Sequence, residues 1–168
     1  LGPAGSGKTT AVERSIENAV DTGAHVVVAC PTGMLAARYR TRFPGLDIDT
    51  IHGMFALHRP EHDTLDMMQD KDLVVIDEVG QLTLDIFERL LRLWVAAERR
   101  PALVFVGDFA QLRGMDPLRA SDSFFWTRHV ITYRLHTMRR CKCQILRWKL
   151  ELLRSSQPSA PEVRAILR

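Results

Sequence analysis

The residues with the plainest chemical purpose form the run LGPAGSGKTT, residues 1–10. Gly2, Gly7, Lys8 and Thr9 satisfy the spacing G-x-x-x-x-G-K-[ST]. Glycines at these positions let successive backbone N–H groups curl around a phosphate, and the helix that follows aims its positive end at the same charge. Gly2, Pro3, Ala4, Gly5, Ser6, Gly7, Lys8, Thr9 and Thr10 therefore read as a nucleotide cradle for ATP. In it, Lys8 reaches the β- and γ-phosphates and the Thr9 hydroxyl ligates Mg²⁺. Taken alone, the same run could be a glycine-rich turn capping a helix.

Two further stretches supply what a phosphate loop needs. LVVIDE ends an apolar run in Asp77 and Glu78, placing two carboxylates at the loop-bearing end of a strand. Asp77 suits Mg²⁺ and Glu78 suits polarising an attacking water. VFVGDFAQL ends another apolar run in Gly107 and Asp108, with Gln111 close behind. An amide there can bond a γ-phosphate or the lytic water and lose that bond after hydrolysis. Each stretch could also be an ordinary strand-to-helix turn; their weight lies in the combination.

The elements that must position these groups alternate along the chain. KTTAVERSIENAV carries Val12, Ile16, Ala19 and Val20 at helical spacing and stops at Gly23. HVVVAC predicts a buried strand, GMLAARYRTRF a short helix ending before Pro44, and DLVVIDE the next strand. TLDIFERLLRLWVAAE is an amphipathic helix with Ile86, Phe87, Leu90, Leu91 and Trp94 on one face. ALVFVGD gives a third strand and HVITYRL a fourth. Strands apolar throughout belong to a parallel sheet covered on both faces, so the fold class is α/β, doubly wound, with a phosphate loop at its front. The strand that normally feeds such a loop is truncated here, and its expected neighbours are LVVID and ALVFVG. A core domain over residues 1–154, incomplete at its N-terminus, and a linker or the start of the next segment over 155–168 complete the expectation.

Composition sets the outer bounds. At 168 residues, 46% hydrophobic and 26% charged, the chain suits one globular domain. No apolar run approaches the about 20 residues of a membrane span. Three cysteines, an odd number, argue against a disulfide framework and for a reducing compartment. The net charge of +3 is unevenly spread. Arg128, Arg134, Arg139, Arg140, Lys142, Arg147, Lys149 and Arg154 face Glu151 alone, a bias that hints at a polyanionic partner.

In order along the chain, GPAGSGKTT, CPTGMLAA, TIHGMF, VVIDEVGQL and VFVGDFAQL resemble the successive motifs of superfamily 1B DNA helicases, the PIF and RecD types, and most of all the PIF type. YRLHTMRRC is a looser match to the next motif, through Leu135 and Arg140. The resemblance implies a RecA-like motor domain using ATP and Mg²⁺ to move 5′-to-3′ on single-stranded DNA. It implies backbone contacts to that DNA from Pro31, Thr32 and Gly33 and from Thr50, Ile51 and His52, with Arg140 reaching the γ-phosphate. It also implies a second RecA-like domain in the parent chain. A RecD- or relaxase-like helicase and a catalytically idle DNA-binding remnant remain alternatives. Two departures from the family pattern stand out: Gly80 where a serine is usual, and Arg113 and Gly114 where prolines are.

Weaker features have plainer readings. Phe55 could stack on a base, but an aromatic in a short apolar run suits a core. His136, Cys141 and Cys143 lack the second pair that a zinc site needs. Helical spacing predicts that Ile145, Trp148 and Leu152 pack inward.

Overall fold

The computed structural model describes residues 1–60, 63–111, 118–156 and 158–167, so Arg113 and Gly114 lie outside the described residues. Helix α1 (Lys8–Asp21) leaves the glycine loop and buries Val12 and Ile16. Strand β1 (Val26–Cys30) follows, buried along its whole length. Helix α2 (Gly33–Arg42) is capped by Thr32, whose hydroxyl accepts from the Leu35 N–H at 3.4 Å. Then come β2 (Asp47–Thr50), the short helices α3 (Ile51–Phe55) and α4 (Asp66–Gln69), and β3 (Leu73–Ile76). Helix α5 (Leu84–Ala96) is capped by Thr83 and buries Phe87, Leu90, Leu91 and Leu93. Strand β4 (Ala102–Phe105), α6 (Phe124–His129), α7 (Gln144–Ser156) and α8 (Ala160–Leu167) complete the order.

The four strands form one sheet in the order β2-β1-β3-β4, and every pair is parallel. Val28 sits opposite both Ile48 and Val75, and Val75 opposite Val104. Side-chain alternation then sends Val27, Ala29, Val74 and Ile76 to one core, with Phe55, Phe87 and Leu90. Val26, Val28, Cys30 and Val75 face the other, with Val12, Ile16, Ala36 and Tyr39. Helices thus cover both faces, which is why β1 can be apolar at every position.

Structure and expectation differ at three points. Strand β2 was not foreseen, because its sequence DIDT offers a single apolar side chain. HVITYRL is not a strand: residues 130–139 carry no regular element. Its backbone does bond to the front of the chain, Leu135 N–H donating to the Leu1 carbonyl at 2.8 Å and the Leu1 ammonium to the Tyr133 carbonyl at 2.7 Å. Strands β3 and β4 pair directly, so a strand entering the loop cannot lie between them. Leu1 and Gly2 run on the far side of β4, where Gly2 N–H donates to the Gly107 carbonyl at 3.1 Å. Residues 155–168, expected as a linker or the start of a further segment, contain α8, where Ser159 bonds the Glu162 carboxylate through its N–H at 2.8 Å and its hydroxyl at 2.7 Å.

The tail of the basic segment also packs unexpectedly. Ile145 and Trp148 are 68% and 61% exposed, and Trp126 is buried against Phe87, Phe105 and Phe109. Between β4 and residues 129–135 lies an apolar groove of about 490 Å³, floored by Leu91 and Trp94 and banked by Leu103, Phe105, Val130 and Ile131. Ile131 and Tyr133 are 81% and 78% exposed. An open strand edge beside an apolar trough favours edge-to-edge association. Residues 1–168 alone are therefore expected to self-associate in sedimentation velocity and to bind a hydrophobic dye, and Ile131→Lys to weaken both. A monodisperse, dye-silent chain would refute this.

Candidate functional site

All four strands point the same way, so every strand-to-helix loop emerges at one edge of the sheet. The motif residues gather there. At the β4 end, the Gly2–Gly107 bond fixes the glycine loop beside Asp108. Gly5 and Gly7 adopt left-handed backbone, φ 73° and 94°, which explains glycine at both. Pro3 and Ser6 are buried, Ala4 and Thr10 exposed, and Lys8 and Thr9 half-buried in the first turn of α1. Lys8 Nζ donates to the Gly2 and Pro3 carbonyls at 2.6 and 3.0 Å, so the ammonium lies over the mouth of the loop. Ser6 Oγ is buried without a protein partner.

At the β3 end, Asp77 is 4% exposed. Its Oδ1 accepts from Glu78 N–H at 2.8 Å, and its Oδ2 accepts from the Tyr39 hydroxyl at 2.8 Å. Glu78 has a left-handed backbone, φ 54°, rare for a side chain of that size and characteristic of strained functional positions. Burial, then the charge of Asp77, push its carboxyl above the usual range, while Lys8 pulls the other way. Burial and Asp77 likewise push the Cys30 thiol up to about 12 and the Tyr39 phenol well up, so both stay neutral. Tyr39 is thereby a fixed donor.

Glu78 and Gln111 meet across a cavity of about 310 Å³ that Gly80, Gln81 and Asp108 also line. Gln111 is held by Asp108, its N–H donating to the Asp108 carbonyl at 3.2 Å. Gly80 has a local reason: a Cβ there would come within 2.7 Å of the Asp108 carbonyl oxygen. Arg139 and Arg140 both donate backbone N–H groups to the Gly5 carbonyl, at 2.8 and 3.1 Å. The segment carrying Arg140 therefore covers the glycine loop, with the guanidinium exposed. A cleft of about 670 Å³ opens nearby among Gly2, Asp108, Gln111, Arg119, Arg134 and Arg154. The Arg154 guanidinium binds the buried Asp108 carboxylate at 2.8 Å.

The residues expected to touch DNA stand two and three strands away, on β1 and β2, whose ends are in register through Cys30 and Thr50. Pro31 is half-buried and Thr32 and Gly33 are exposed. Thr50 caps α3, accepting from Gly53 N–H at 3.1 Å, and His52 is exposed. The two threonine hydroxyls accept from helix amides and keep a proton to donate outward. Ile51 is the exception, 1% exposed within the core; its side chain cannot reach a ligand. Phe55, at 0%, is core as expected.

The sequence reading missed Tyr39 and the Asp108–Arg154 pair. An aromatic at a helical core position carries no outward sign of a polar contact. Residues fixed by a fold across more than forty positions leave no local pattern either.

A parallel sheet with helices on both faces and a glycine loop at the head of α1 gives the P-loop NTPase fold of the RecA-like kind. The AAA_30 family model, described as an AAA domain, matches residues 1–166, and the chain belongs to that family. Among solved structures, Pif1 helicase from Candida albicans superposes with TM-score 0.75 at 21% identity, covering 98% of this chain and 42% of that one. Bacteroides Pif1 bound to single-stranded DNA gives 0.69 at 22%, covering 96% and 43%. Bacteroides sp. Pif1 with ADP-AlF4 gives 0.67 at 22%, again covering 96% and 43%. The chain thus spans less than half the length of these helicases. No curated protein matches the sequence. Among the described residues no helix is long and apolar enough to cross a membrane.

Glu78 offers a test independent of activity. Its folded-state pKa lies above the unfolded value, so ionising it favours unfolding, and its stabilising share is lost as pH rises through the folded pKa. Glu78→Gln is expected to melt higher than wild type at pH 7, the gap closing as pH falls toward 4. A variant melting lower than wild type across that range would contradict the assignment.

Proposed function

We propose that this domain is one half of a PIF-type motor, binding and hydrolysing ATP to drive 5′-to-3′ translocation on single-stranded DNA. The observation that carries the reading is the joint placement of Lys8, Asp77, Glu78 and Gln111 at one sheet edge, with Thr32, Thr50 and His52 farther along that edge. The donor set fits the cofactor. One buried carboxylate, one hydroxyl and an orphaned serine oxygen are hard oxygen ligands. They suit a magnesium ion shared with phosphates rather than an all-protein cage. Thr9 and Asp77 would hold it, and once bound it neutralises phosphate charge.

The chain's own groups supply the rest. Lys8, released from the Gly2 and Pro3 carbonyls, turns its ammonium to the β- and γ-phosphates. Glu78 orients the lytic water and accepts its proton, its raised pKa making the carboxylate a better base than an ordinary glutamate. Gln111, held by Asp108, lies across the cavity from Glu78, suited to read the γ-phosphate. An arginine stabilises charge on the transferred group, and Arg140 on the segment over the loop is the one assigned. A second RecA-like domain closes over the nucleotide. Thr32, Gly33, Thr50 and His52 bind the phosphodiester backbone through small polar groups, as contacts blind to sequence require.

Two measurements decide it. In the full chain, Lys8→Ala should cut DNA-stimulated ATPase kcat by on the order of 100-fold; unchanged turnover removes the ATPase reading. Single-stranded DNA binding should weaken steeply with salt and vary little with base sequence. Thr32→Ala with His52→Ala should weaken it for all oligonucleotides alike, and a strong preference for one sequence at fixed salt argues against backbone contacts.

A further inference from the structure

Strands β1 and β3 are neighbours, but the surfaces at their ends belong to different ligands in the reading above. One side chain joins them. Tyr39 lies on α2, two turns beyond Thr32 and about 10 Å along the helix, on the same helical face. It is 2% exposed, and its ring packs in the core with Val28, Ala36, Ile48 and Val75. Phe43, one turn on, stacks against it at 6.5 Å between centroids. A ring held this way has little rotational freedom, so its hydroxyl is placed by the helix itself. That hydroxyl donates 2.8 Å to Asp77 Oδ2, while the other carboxylate oxygen is fixed by Glu78 N–H. The carboxylate has therefore one adjustable contact, and it comes from the helix that Thr32 caps.

We propose that Tyr39 is a positioning residue that couples the Thr32 end of α2 to the Asp77 carboxylate, so that single-stranded DNA at Thr32 alters metal binding at Asp77. The inference rests on the proposed ATPase reading and deepens it. A phosphate drawn to Thr32 and Gly33 shifts α2 along or about its axis. Tyr39 moves with it as a rigid part of the same helix, and Oδ2 either keeps or loses its donor. An oxygen that shares its lone pairs with a phenol is a poorer metal ligand in one geometry and a better oriented one in another. Partners of this kind behind a metal ligand change affinity by about 10–100-fold when removed. Tyr39→Phe keeps the ring, the Phe43 stack and the core contacts, and deletes the donor alone.

The test uses the full chain, Mn²⁺ as the metal probe, a non-hydrolysable ATP analogue and oligothymidylate. Bound Mn²⁺ is counted by electron paramagnetic resonance, a readout separate from turnover. In wild type, adding oligothymidylate is expected to change the Mn²⁺ dissociation constant severalfold. In Tyr39→Phe the constant should weaken about tenfold and become indifferent to DNA, with kcat recovering at high metal. A wild-type constant that DNA leaves unchanged overturns the coupling without any variant, so poor folding of Tyr39→Phe cannot shelter it. So does a folded Tyr39→Phe protein that responds to DNA as wild type does. A wild-type chain that binds no Mn²⁺–nucleotide at all would instead remove the ATPase reading, and this inference with it.

Discussion

Gly107 holds three loops together. Its carbonyl accepts the Gly2 N–H at the start of the phosphate loop. Its α-carbon lies so close to the β3 loop that a Cβ would approach Val79 N to 2.9 Å. Immediately before it, the Val106 carbonyl accepts Val79 N–H at 2.8 Å. Gly80 repeats the device from the other side, against the Asp108 carbonyl. Two glycines facing one another let the ends of β3 and β4 close to backbone contact, and the glycine loop is bonded to the result. Glu78 sits inside that clamp, and its left-handed backbone, costing about 1–3 kcal/mol, persists because the bonds on either side of it leave no alternative.

The same closeness concentrates negative charge. Asp77 and Asp108 are both nearly inaccessible to water, and the Glu78 carboxyl feels the charge of both. Burying such groups is tolerable only when each has donors. Asp77 has a phenol and a backbone amide; Asp108 has the Arg154 guanidinium, Ala110 N–H and the Gln111 side chain. Lys8 instead lies against carbonyl oxygens and, among the described residues, pairs with no carboxylate. The site thus holds Asp77 with neutral donors and Asp108 with Arg154 from far along the chain, leaving the loop lysine for an anionic ligand.

Much of this was legible in the sequence, for physical reasons that differ by element. Strands β1, β3 and β4 announce themselves because burial on both faces demands unbroken apolar runs. The glycine loop does so because left-handed backbone demands glycine at Gly5 and Gly7. Strand β2 was hidden because an edge strand with polar neighbours needs only Ile48 inside. HVITYRL misleads because it has strand composition, while strand geometry also requires a paired neighbour along its length, and among the described residues only Tyr133 and Leu135 find one, at Leu1. In α7 the periodicity is real, yet Ile145 and Trp148 face outward, since a helical pattern marks an apolar face without saying what covers it.

The sheet order separates what the site residues do. The glycine loop lies beside β4, Asp77 follows β3, and Thr32 and Thr50 stand at the ends of β1 and β2. A ligand at one end cannot touch a ligand at the other, so any communication must pass through an element that crosses the sheet. Helix α2 leaves β1 and returns to β2, while Tyr39 reaches inward to β3. Around it the buried cluster of Val28, Ala36, Ile48 and Val75 is apolar, and contacts of that kind resist compression but transmit little direction. A hydrogen bond to a charged carboxylate is directional, and its strength changes steeply with angle. Placing a directional polar contact at Asp77 puts the steepest response where a small displacement of α2 has the largest effect on that buried carboxylate.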